Sequence, residues 1–352
     1  MNFMLLISWH LQNLLLITPP FYNYSLAFIF DFFGGLFLID LLSHLTEIYM
    51  QQKKIVVVGS CNTDMVIKAD RLPIPGETVL GGTFFMNPGG KGANQAVAAA
   101  RMGGRVTFIS KTGNDVFGKQ SVVLYNAEDI KTDYIFSDPS NPSGVALITV
   151  DSFGENCIVV ASGANASLCP ADIDKAAPEI ESCDLVLMQL EIPVNTVEYV
   201  AEMANRKNIK VILNPAPARA LSDQLLKNTY IIVPNRSEAE ILSGIKVTDR
   251  ESARQAADII SAKGVSIVVI TLGSQGALIK DHEEYHFVDA VKVDALDTTA
   301  AGDVFCGTLC VGLSEGRSIL DAVKMAAKAS AITVTRMGAQ SSIPHRAELQ
   351  TI

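Results

Sequence analysis

The chain has 352 residues, of which 49% are hydrophobic, so it can bury a large core as two domains or as one large α/β unit. Its formal net charge is −9, and its basic residues are scattered among acidic ones, which argues against a nucleic-acid partner. The six cysteines show no C-x2-C pairing, and a chain of this length does not need disulfides. We therefore expect reduced thiols, mostly in the core of a cytoplasmic protein, with Cys306 or Cys310 able to line a site.

The first part of the chain differs from the rest, because residues 1–49 contain no Lys or Arg, whereas a signal peptide begins with positive charge. The stretch Tyr24–Leu42 approaches the length of a membrane-spanning helix, but Asp31 and Asp40 interrupt it. We expect residues 1–49 to be an apolar extension that is not part of the native protein; a membrane segment is the alternative. Residues 50–352 are predicted to form the functional domain, with no membrane contact expected.

From Lys53 onward, short apolar segments alternate with longer amphipathic ones. The apolar segments predict buried strands at Ile55–Gly59, Val106–Ser110, Leu185–Leu190, Val211–Asn214, Ile231–Pro234 and Ser266–Leu272. The amphipathic segments predict helices at Gly92–Met102, Asp115–Ala127, Val194–Arg206, Ser237–Leu242, Arg250–Lys263, Gly302–Ser314 and Ile319–Val334. This alternation implies a doubly wound α/β fold, a mainly parallel sheet flanked by helices, in which ligands bind beyond the carboxyl ends of the strands.

Four other segments alternate apolar with polar residues and are joined by Asn-Pro, Gly and Asp-Ser-Phe-Gly turns. They lie near residues 62–69, 78–87, 144–150 and 156–161. They predict a small, separate β-sheet.

Two glycine-rich loops, Gly89–Gln95 and Asp297–Asp303, each lead into an alanine-rich helical segment. The second loop offers backbone N–H groups at a helix start, where the macrodipole favours anions, and it ends in a carboxylate that can accept a proton from a hydroxyl. By itself, Asp303 could equally be an ordinary acidic residue at a helix N-terminus. The first loop allows close backbone approach to a hydroxylated ligand. Together the loops indicate a phosphotransfer site.

The two loops resemble the two signatures of the ribokinase-type (PfkB) carbohydrate kinases. The resemblance runs from about Lys53 to Ala347 and includes Gly59–Asp64, Pro75–Thr78, Asn214–Ala218, Pro234–Glu238 and Thr271–Gly276. It implies a ribokinase-like fold in which the small sheet is a lid over the sugar and commonly a dimer interface, so we expect a homodimer. It also implies ATP-dependent phosphorylation of D-ribose at O5, with Mg²⁺ required and K⁺ as activator. A kinase for 2-deoxyribose, another sugar or a nucleoside stays open, as does a non-catalytic sugar-binding or membrane-tethered regulatory protein.

The resemblance implies that Asp303 is the base and that the backbone of Ala301 and Gly302 forms an anion hole. It implies sugar contacts from Asn62, Thr63, Asp64, Gly90, Lys91, Gly92, Ala93, Asn94, Glu191 and Asp303. Asp64 could instead cap a turn after the first strand. Glu191 follows a buried strand, which would bring it into a cleft, although a surface position is the alternative.

On the nucleotide side the resemblance implies contacts from Asn235, Thr271, Leu272, Gly273, Ser274, Gln275, Gly276, Gly302, Asp303 and Ala327. Asn235 and Glu238 match a motif that acts around Mg²⁺ through water, but the same spacing is a helix-capping box, and both roles are compatible. The implied K⁺ site, which could be merely a structural loop, consists of Asp297, Thr299, Thr333, Arg336, Gly338 and Ser342. Ala327 departs from the larger polar residue expected near the adenine, which puts nucleotide affinity or selectivity in doubt.

Overall fold

The main sheet of the computed structural model has nine strands. The structure describes residues 53–352, and the predicted apolar extension at 1–49 lies outside the described residues. The nine strands are β1 (Lys54–Val58), β4 (Arg105–Gly113), β5 (Ile135–Asp138), β8 (Leu185–Met188), β9 (Lys210–Leu213), β10 (Ile231–Ile232), β11 (Ile267–Thr271), β12 (Ala277–Asp281) and β13 (Glu284–Val288). Their order in the sheet is β13-β12-β11-β10-β9-β8-β1-β4-β5, with parallel pairing from β11 to β5 and antiparallel pairing of β12 and β13.

Both faces of this sheet are covered, as the continuous apolar strands predicted. In β1, Ile55 and Val57 pack into one buried hydrophobic cluster, and Val56 and Val58 pack into another on the opposite face. Successive side chains of a strand point to opposite faces, so an uninterrupted apolar strand needs a helical layer on each side. The predicted doubly wound α/β fold is confirmed.

The helices that cover the sheet agree closely with the predicted ones. They are α1 (Lys91–Arg101), α2 (Val116–Ala127), α3 (Pro170–Glu181), α4 (Val194–Arg206), α5 (Asp223–Lys227), α6 (Arg236–Ser243), α7 (Arg250–Ala262), α8 (Ala301–Ser314) and α9 (Ile319–Val334). Two helices were not predicted: α3, whose interior contains Pro178, and the short α5. Strand β5 and the hairpin of β12 and β13 were not predicted either.

A second sheet of four strands, here called the lid sheet, consists of β2 (Asn62–Lys68), β3 (Thr83–Gly89), β6 (Gly144–Val150) and β7 (Asn156–Ala161). The predicted small sheet is therefore confirmed, but one detail was wrong. Residues 78–82 are not in a strand, because Gly81 and Gly82 have φ values of 103° and 97°, which a strand does not adopt. Asp64 lies in β2, which agrees with the strand predicted near 62–69, and not in a turn.

Two general observations follow from the described part of the chain. All six cysteines lie within residues 53–352 and are free thiols. No helix among these residues is long and apolar enough to cross a membrane.

Candidate active site

Asp303 lies in the first turn of α8 and is only 7% exposed. Nδ2 of Asn94 donates to its Oδ2 over 3.0 Å, and Nε2 of Gln95 donates to its Oδ1 over 3.0 Å. Burial raises the pKa of Asp303, while the positive charge of Lys91 and the two amide donors oppose that rise. A buried carboxylate whose two oxygens already have donors is fixed in orientation and can accept a proton from a hydroxyl placed before it.

The loop before Asp303 opens α8 without a side-chain cap. Ala300 has a φ of 61°, an uncommon conformation for a residue with a Cβ atom. The N–H of Ala301 donates to the carbonyl of Thr298 over 3.3 Å, so in this conformation it is engaged within the loop. Gly302 is exposed, and among the described residues a Cβ atom added there would meet nothing within 4 Å beyond its neighbours in the helix. The helix N-terminus therefore faces open space at Gly302, where an anion can approach the backbone.

The first glycine loop passes over the beginning of β2. Gly90 has a φ of 90°, and a Cβ atom there would come within 2.8 Å of the backbone nitrogen of Asn62. Glycine is required at this position for both reasons. The N–H of Lys91 donates to Oε2 of Glu191 over 2.9 Å, and Oγ of Ser60 donates to the same oxygen over 2.5 Å. Glu191 therefore lies in the cleft rather than at a remote surface, and it caps the start of α1.

Three carboxylates and one ammonium group share this cleft. The pKa of Asp64 rises from its ordinary value of 3.8 to about 6, because of burial and then the negative charges of Glu191 and Asp303, against the lowering effect of Lys91. The pKa of Lys91 is raised, chiefly by Asp303. The Asp64 carboxylate also lies against Gly89, where an added Cβ atom would come within 2.2 Å of Oδ2. Several oriented acceptors around a single cation suit an uncharged polyol.

The other predicted sugar residues have different positions. Oδ1 of Asn94 is buried and has no hydrogen-bond partner within residues 53–352. The side chain of Ala93 is part of the hydrophobic core, and a Cβ atom at Gly92 would come within 2.5 Å of the nitrogen of Ser60. Successive side chains of β2 point to opposite faces of the lid sheet, so Thr63 and Asp64 face opposite sides. Gly92 has no side chain, so it can contact a sugar only through its backbone. The side chains of Ala93 and Thr63 do not face the cleft.

Asn62 depends on a residue that the sequence analysis missed. Nδ2 of Asn165 donates to Oδ1 of Asn62 over 2.7 Å, and the same amide group pairs with the backbone N–H and carbonyl of Cys61 over 2.8 and 3.1 Å. Asn165 is 2% exposed, and a Cβ atom at Gly144 would clash with it at 2.2 Å. Asn165 thus joins the starts of β2 and β6, and only its place in a Gly-Ala-Asn turn marked it in the sequence.

Asn235 and Glu238 form the capping box that the sequence allowed. Oδ1 of Asn235 accepts from the N–H of Glu238 over 2.9 Å, and Oε2 of Glu238 accepts from the N–H of Asn235 over 2.8 Å. Burial raises the pKa of Glu238, and the charge of Lys91 lowers it. The capping role is confirmed, and a buried carboxylate near Lys91 also offers the hard oxygen that Mg²⁺ prefers.

The predicted nucleotide loop follows β11. The residues from Gly273 to Gln275 form an exposed turn, whereas the Leu272 side chain is 2% exposed within the core. Nη2 of Arg236 donates to Oε1 of Gln275 over 2.6 Å and to the carbonyl of Leu272 over 3.1 Å. Gly276 approaches β13 closely, since a Cβ atom there would come within 1.9 Å of the carbonyl oxygen of Val288.

The remaining predicted nucleotide residues are Thr271, Ser274 and Ala327. Thr271 ends β11, and its N–H donates to the carbonyl of Pro234 over 2.9 Å. Ser274 is exposed within the turn. Ala327 lies in α9, partly buried against the core.

The residues of the implied cation site are partly brought together. Oδ1 of Asp297 accepts from the N–H and the hydroxyl of Thr299 over 2.9 and 2.6 Å, and its Oδ2 accepts from the N–H of Gly338 over 2.8 Å. The hydroxyl of Thr333 donates to the carbonyl of Ala329, the hydroxyl of Ser342 donates to the carbonyl of Ala339, and Arg336 pairs with Glu348. Within residues 53–352 there is no cluster of three or more His, Cys, Asp or Glu side chains able to hold a metal ion. Carboxylate, hydroxyl and carbonyl oxygens around a loop suit a weakly bound hard cation such as K⁺.

Both cysteines considered for the site, Cys306 and Cys310, pack within the hydrophobic core behind it. Burial raises the pKa of each thiol. The sequence analysis also gave no role to Gln95, Gln189 and Asn214, whose amide groups lie behind Asp303. Gln189 and Asn214 directly follow β8 and β9, and a polar residue near the carboxyl end of each predicted apolar strand was the signal that could have marked them.

The chain belongs to the pfkB family of carbohydrate kinases, whose sequence pattern matches residues 52–346. It is therefore a kinase of this class. The chain is 44% identical to the Haemophilus influenzae ribokinase over 297 residues, which is 84% of this chain and 97% of that protein. It is 37% identical over 291 residues to a Salmonella typhi deoxyribokinase, covering 82% of this chain and 95% of that one. The structure of an Arabidopsis thaliana ribokinase complexed with ribose and ATP has a TM-score of 0.81 and 30% identity, covering 85% of this chain and 98% of that chain.

Proposed function

We propose that the chain transfers the γ-phosphoryl group of ATP to O5 of D-ribose and releases D-ribose 5-phosphate and ADP. The observation that carries the proposal is the buried Asp303 carboxylate, held by two amide donors at the N-terminus of α8 and facing Lys91. The similarity to ribokinases over most of the chain supports ribose as the sugar.

The base is Asp303. When O5 attacks the γ-phosphorus, the O5–H proton passes to an oxygen of Asp303 and the bond to ADP breaks. Lys91, Asn94 and Gln95 counter the effect of burial on the pKa, so the carboxylate can be ionised before the proton arrives.

The anion hole is the open N-terminus of α8. The exposed backbone at Gly302 and the helix dipole stabilise the charge that develops on the phosphoryl oxygens. The N–H of Ala301 joins this hole only if the bond to Thr298 opens, which makes Gly302 the main contributor in this conformation.

The sugar is held between the lid sheet and the first glycine loop. Asp64, Asn62 and Glu191 accept or orient sugar hydroxyl groups, while Asn94 contributes Oδ1, which has no hydrogen-bond partner among residues 53–352. Oriented hydrogen bonds at several hydroxyls set the O5 position relative to Asp303. Closure of the lid sheet over the sugar would exclude water and prevent hydrolysis of ATP.

The inorganic cofactors fit the oxygens that the structure presents. Glu238 and Asn235 would hold Mg²⁺ through water, and this ion would neutralise phosphate charge when bound. Asp297, Thr299 and the backbone around Gly338 would hold K⁺ beside the loop, where it would add positive potential.

We also propose that a second copy of the chain covers the lid sheet. On the face opposite Asp64, several large apolar side chains are exposed: Ile67 at 45%, Phe84 at 57%, Met86 at 49%, Leu147 at 56% and Val159 at 64%. A monomer rarely exposes so many neighbouring apolar residues.

The free thiols and the need for ATP fit a cytoplasmic location.

A second candidate substrate is 2-deoxyribose, because the deoxyribokinase relative is also similar over most of the chain. Sugars that differ by one hydroxyl are separated by the hydrogen bonds that this hydroxyl makes in the site. Membrane-tethered and non-catalytic roles have less support than catalysis, since the catalytic loop is intact.

The test is an ADP-release assay on the full chain with Mg-ATP and K⁺, comparing D-ribose, 2-deoxyribose, fructose and adenosine. We expect the highest kcat/KM with D-ribose. Asp303→Ala should lower kcat by about 10³-fold and keep sugar binding, because it removes only the base. Preference for another substrate, or an unchanged kcat in Asp303→Ala, would refute the substrate or the mechanism respectively.

A further inference from the structure

Behind Asp303 lies a chain of buried amide side chains that the proposed reaction does not yet use. Gln95 is 0% exposed, as is Gln189, and Asn214 is 8% exposed. Nε2 of Gln95 donates to Oδ1 of Asp303 over 3.0 Å and to Oδ1 of Asn214 over 3.1 Å. Its Oε1 accepts from Nε2 of Gln189 over 2.5 Å. Both amide hydrogens and one lone pair of Gln95 are therefore used.

The direction of these hydrogen bonds is fixed from outside the chain of amides. Nδ2 of Asn214 donates to the carbonyl of Val233 over 3.0 Å, and a carbonyl can only accept. Asn214 must therefore turn its oxygen toward Gln95. Gln95 must in turn direct Nε2 toward the oxygen of Asn214, and Asp303 lies on that same side of Gln95.

Gln189 completes the arrangement at a cost. Its Nε2 faces Gln95, while its Oε1 is buried without a hydrogen-bond partner within residues 53–352. That oxygen lies so close to Gly59 that a Cβ atom there would approach it to 2.0 Å. A buried unsatisfied amide oxygen is unfavourable, and it persists where the surrounding structure gains from the orientation that it imposes.

We propose that Gln95 is a positioning residue for phosphoryl transfer, which holds one oxygen of Asp303 so that the other lone pairs face the sugar, and that Gln189 and Asn214 fix Gln95 in this orientation. The inference rests on the proposed function, in which Asp303 is the base. Because Asn214 takes its orientation from the Val233 carbonyl, the donor stays in place whether or not Asp303 carries the proton. The site is thus organised before the sugar binds.

Other groups also act on Asp303 and must be separated from this effect. Lys91 faces it from α1 and stabilises its charge, as does Asn94 from the same helix. The carboxylates of Glu191, Asp64 and Glu238 face the same space and oppose ionisation. The hydrogen bonds of Gln95 go to Asp303, Asn214 and Gln189 and to none of these other groups, so a Gln95 variant leaves their own contacts with Asp303 in place.

The first variant is Gln95→Met, which keeps the length of the side chain and removes the donor. We expect the acidic limb of the kcat profile to move up by about one pH unit and kcat below that limb to fall by up to about 10-fold, because the buried carboxylate loses a donor. KM for ribose and for ATP should change less than about 3-fold, since neither ligand contacts Gln95 in the proposal. Raising the pH should restore much of kcat.

Two further variants test the chain of amides. Gln189→Met should produce the same changes in smaller measure. Gln95→Glu should raise the acidic limb further, because two adjacent carboxyl groups would share one proton. The matched control is Thr308→Val, which removes from α8 a fully buried hydroxyl that has no hydrogen-bond partner in the described part of the chain. It does not touch Asp303 and should leave the profile unchanged.

The pKa of Asp303 is also measured directly, by infrared difference titration of each protein against its Asp303→Asn counterpart. This readout does not require turnover, so it decides the proposal even if no sugar is phosphorylated and the proposed function fails. A higher Asp303 pKa in folded Gln95→Met, with an unchanged one in Thr308→Val, is the expected result. An unchanged pKa and kcat profile in Gln95→Met, or a rise in ribose KM alone, would overturn it.

Discussion

The backbone N–H of Lys91 donates a hydrogen bond to Oε2 of Glu191 over 2.9 Å, so a carboxylate that follows β8 caps the first turn of α1. Ser60 donates to the same oxygen from the end of β1. Oε2 therefore serves the fold, and Oε1 remains for a ligand. One side chain links the stability of the sugar loop to its binding chemistry.

This division of roles predicts different results for two substitutions at Glu191. Glu191→Gln keeps an acceptor for the cap but turns an amide donor toward the sugar, so ribose KM should rise about 10-fold or more with little loss of stability. Glu191→Ala should also lose about 1 kcal/mol of unfolding free energy, because the cap disappears. Steady-state kinetics and urea unfolding of both variants check this; equal loss of stability would contradict the division.

The open space at Gly302 predicts a purely steric variant. Gly302→Ala should fold normally, because Gly302 lies within α8 and an added Cβ atom meets, among residues 53–352, nothing within 4 Å beyond its neighbours in the helix. The added methyl group would occupy the place of the phosphoryl oxygens, so kcat should fall by about 10²-fold. The control is Ser314→Ala, which also places an alanine in α8, near the other end of the helix. Gly316→Ala does not serve as a control, because Gly316 has a φ of 80°. Normal activity in Gly302→Ala would move the anion hole elsewhere.

Asp64 predicts a dependence of stability on pH. Its pKa is raised to about 6 in the folded protein from an ordinary 3.8, so its contribution to stability is fully present below about pH 4 and is lost as the pH rises through 6. Asp64→Asn should remove this dependence. Between pH 4.5 and 7.5 the difference in unfolding free energy between the two proteins should change by about 1–3 kcal/mol in favour of the variant.

Urea unfolding at both pH values measures the Asp64 effect. The control variant is Asp70→Asn, which replaces an exposed carboxylate just beyond β2, the strand that contains Asp64. It should show the same dependence of stability on pH as the parent protein. Activity provides an independent check, because Asp64→Asn should raise ribose KM while leaving the KM for ATP nearly unchanged. A constant stability difference across this pH range would show that Asp64 is ionised as in water.

The exposed face of the lid sheet predicts self-association. Leu147→Lys should convert a dimer to monomers in sedimentation experiments, because a charge within an apolar interface loses its hydration. Val123→Lys introduces the same charge at a residue that is 69% exposed on α2, and it should leave the dimer intact. A parent protein that sediments as a monomer at micromolar concentration would refute the proposed second copy.

Sequence alone determined the layered architecture and the two loops. Continuous apolar strands such as β1 require cover on both faces, and glycine with a carboxylate at a helix start is readable as a pattern, which is why the predicted helices and the loop at Asp303 agree with the structure. The predictions failed where a residue interrupts the pattern. Helix α3 was not predicted because it contains Pro178, and β3 is shorter than predicted because Gly81 and Gly82 have positive φ values.

Only the tertiary structure decided which polar groups meet. Gln95 lies in α1, and Asn214, 119 positions further along the chain, directly follows β9, yet their amides meet and Gln95 also donates to Asp303. Periodicity records whether a side chain faces a core, but it carries no information about which distant partner satisfies a buried amide. The fold could therefore be predicted from local patterns, whereas the hydrogen bonds that orient the base depend on contacts between distant segments.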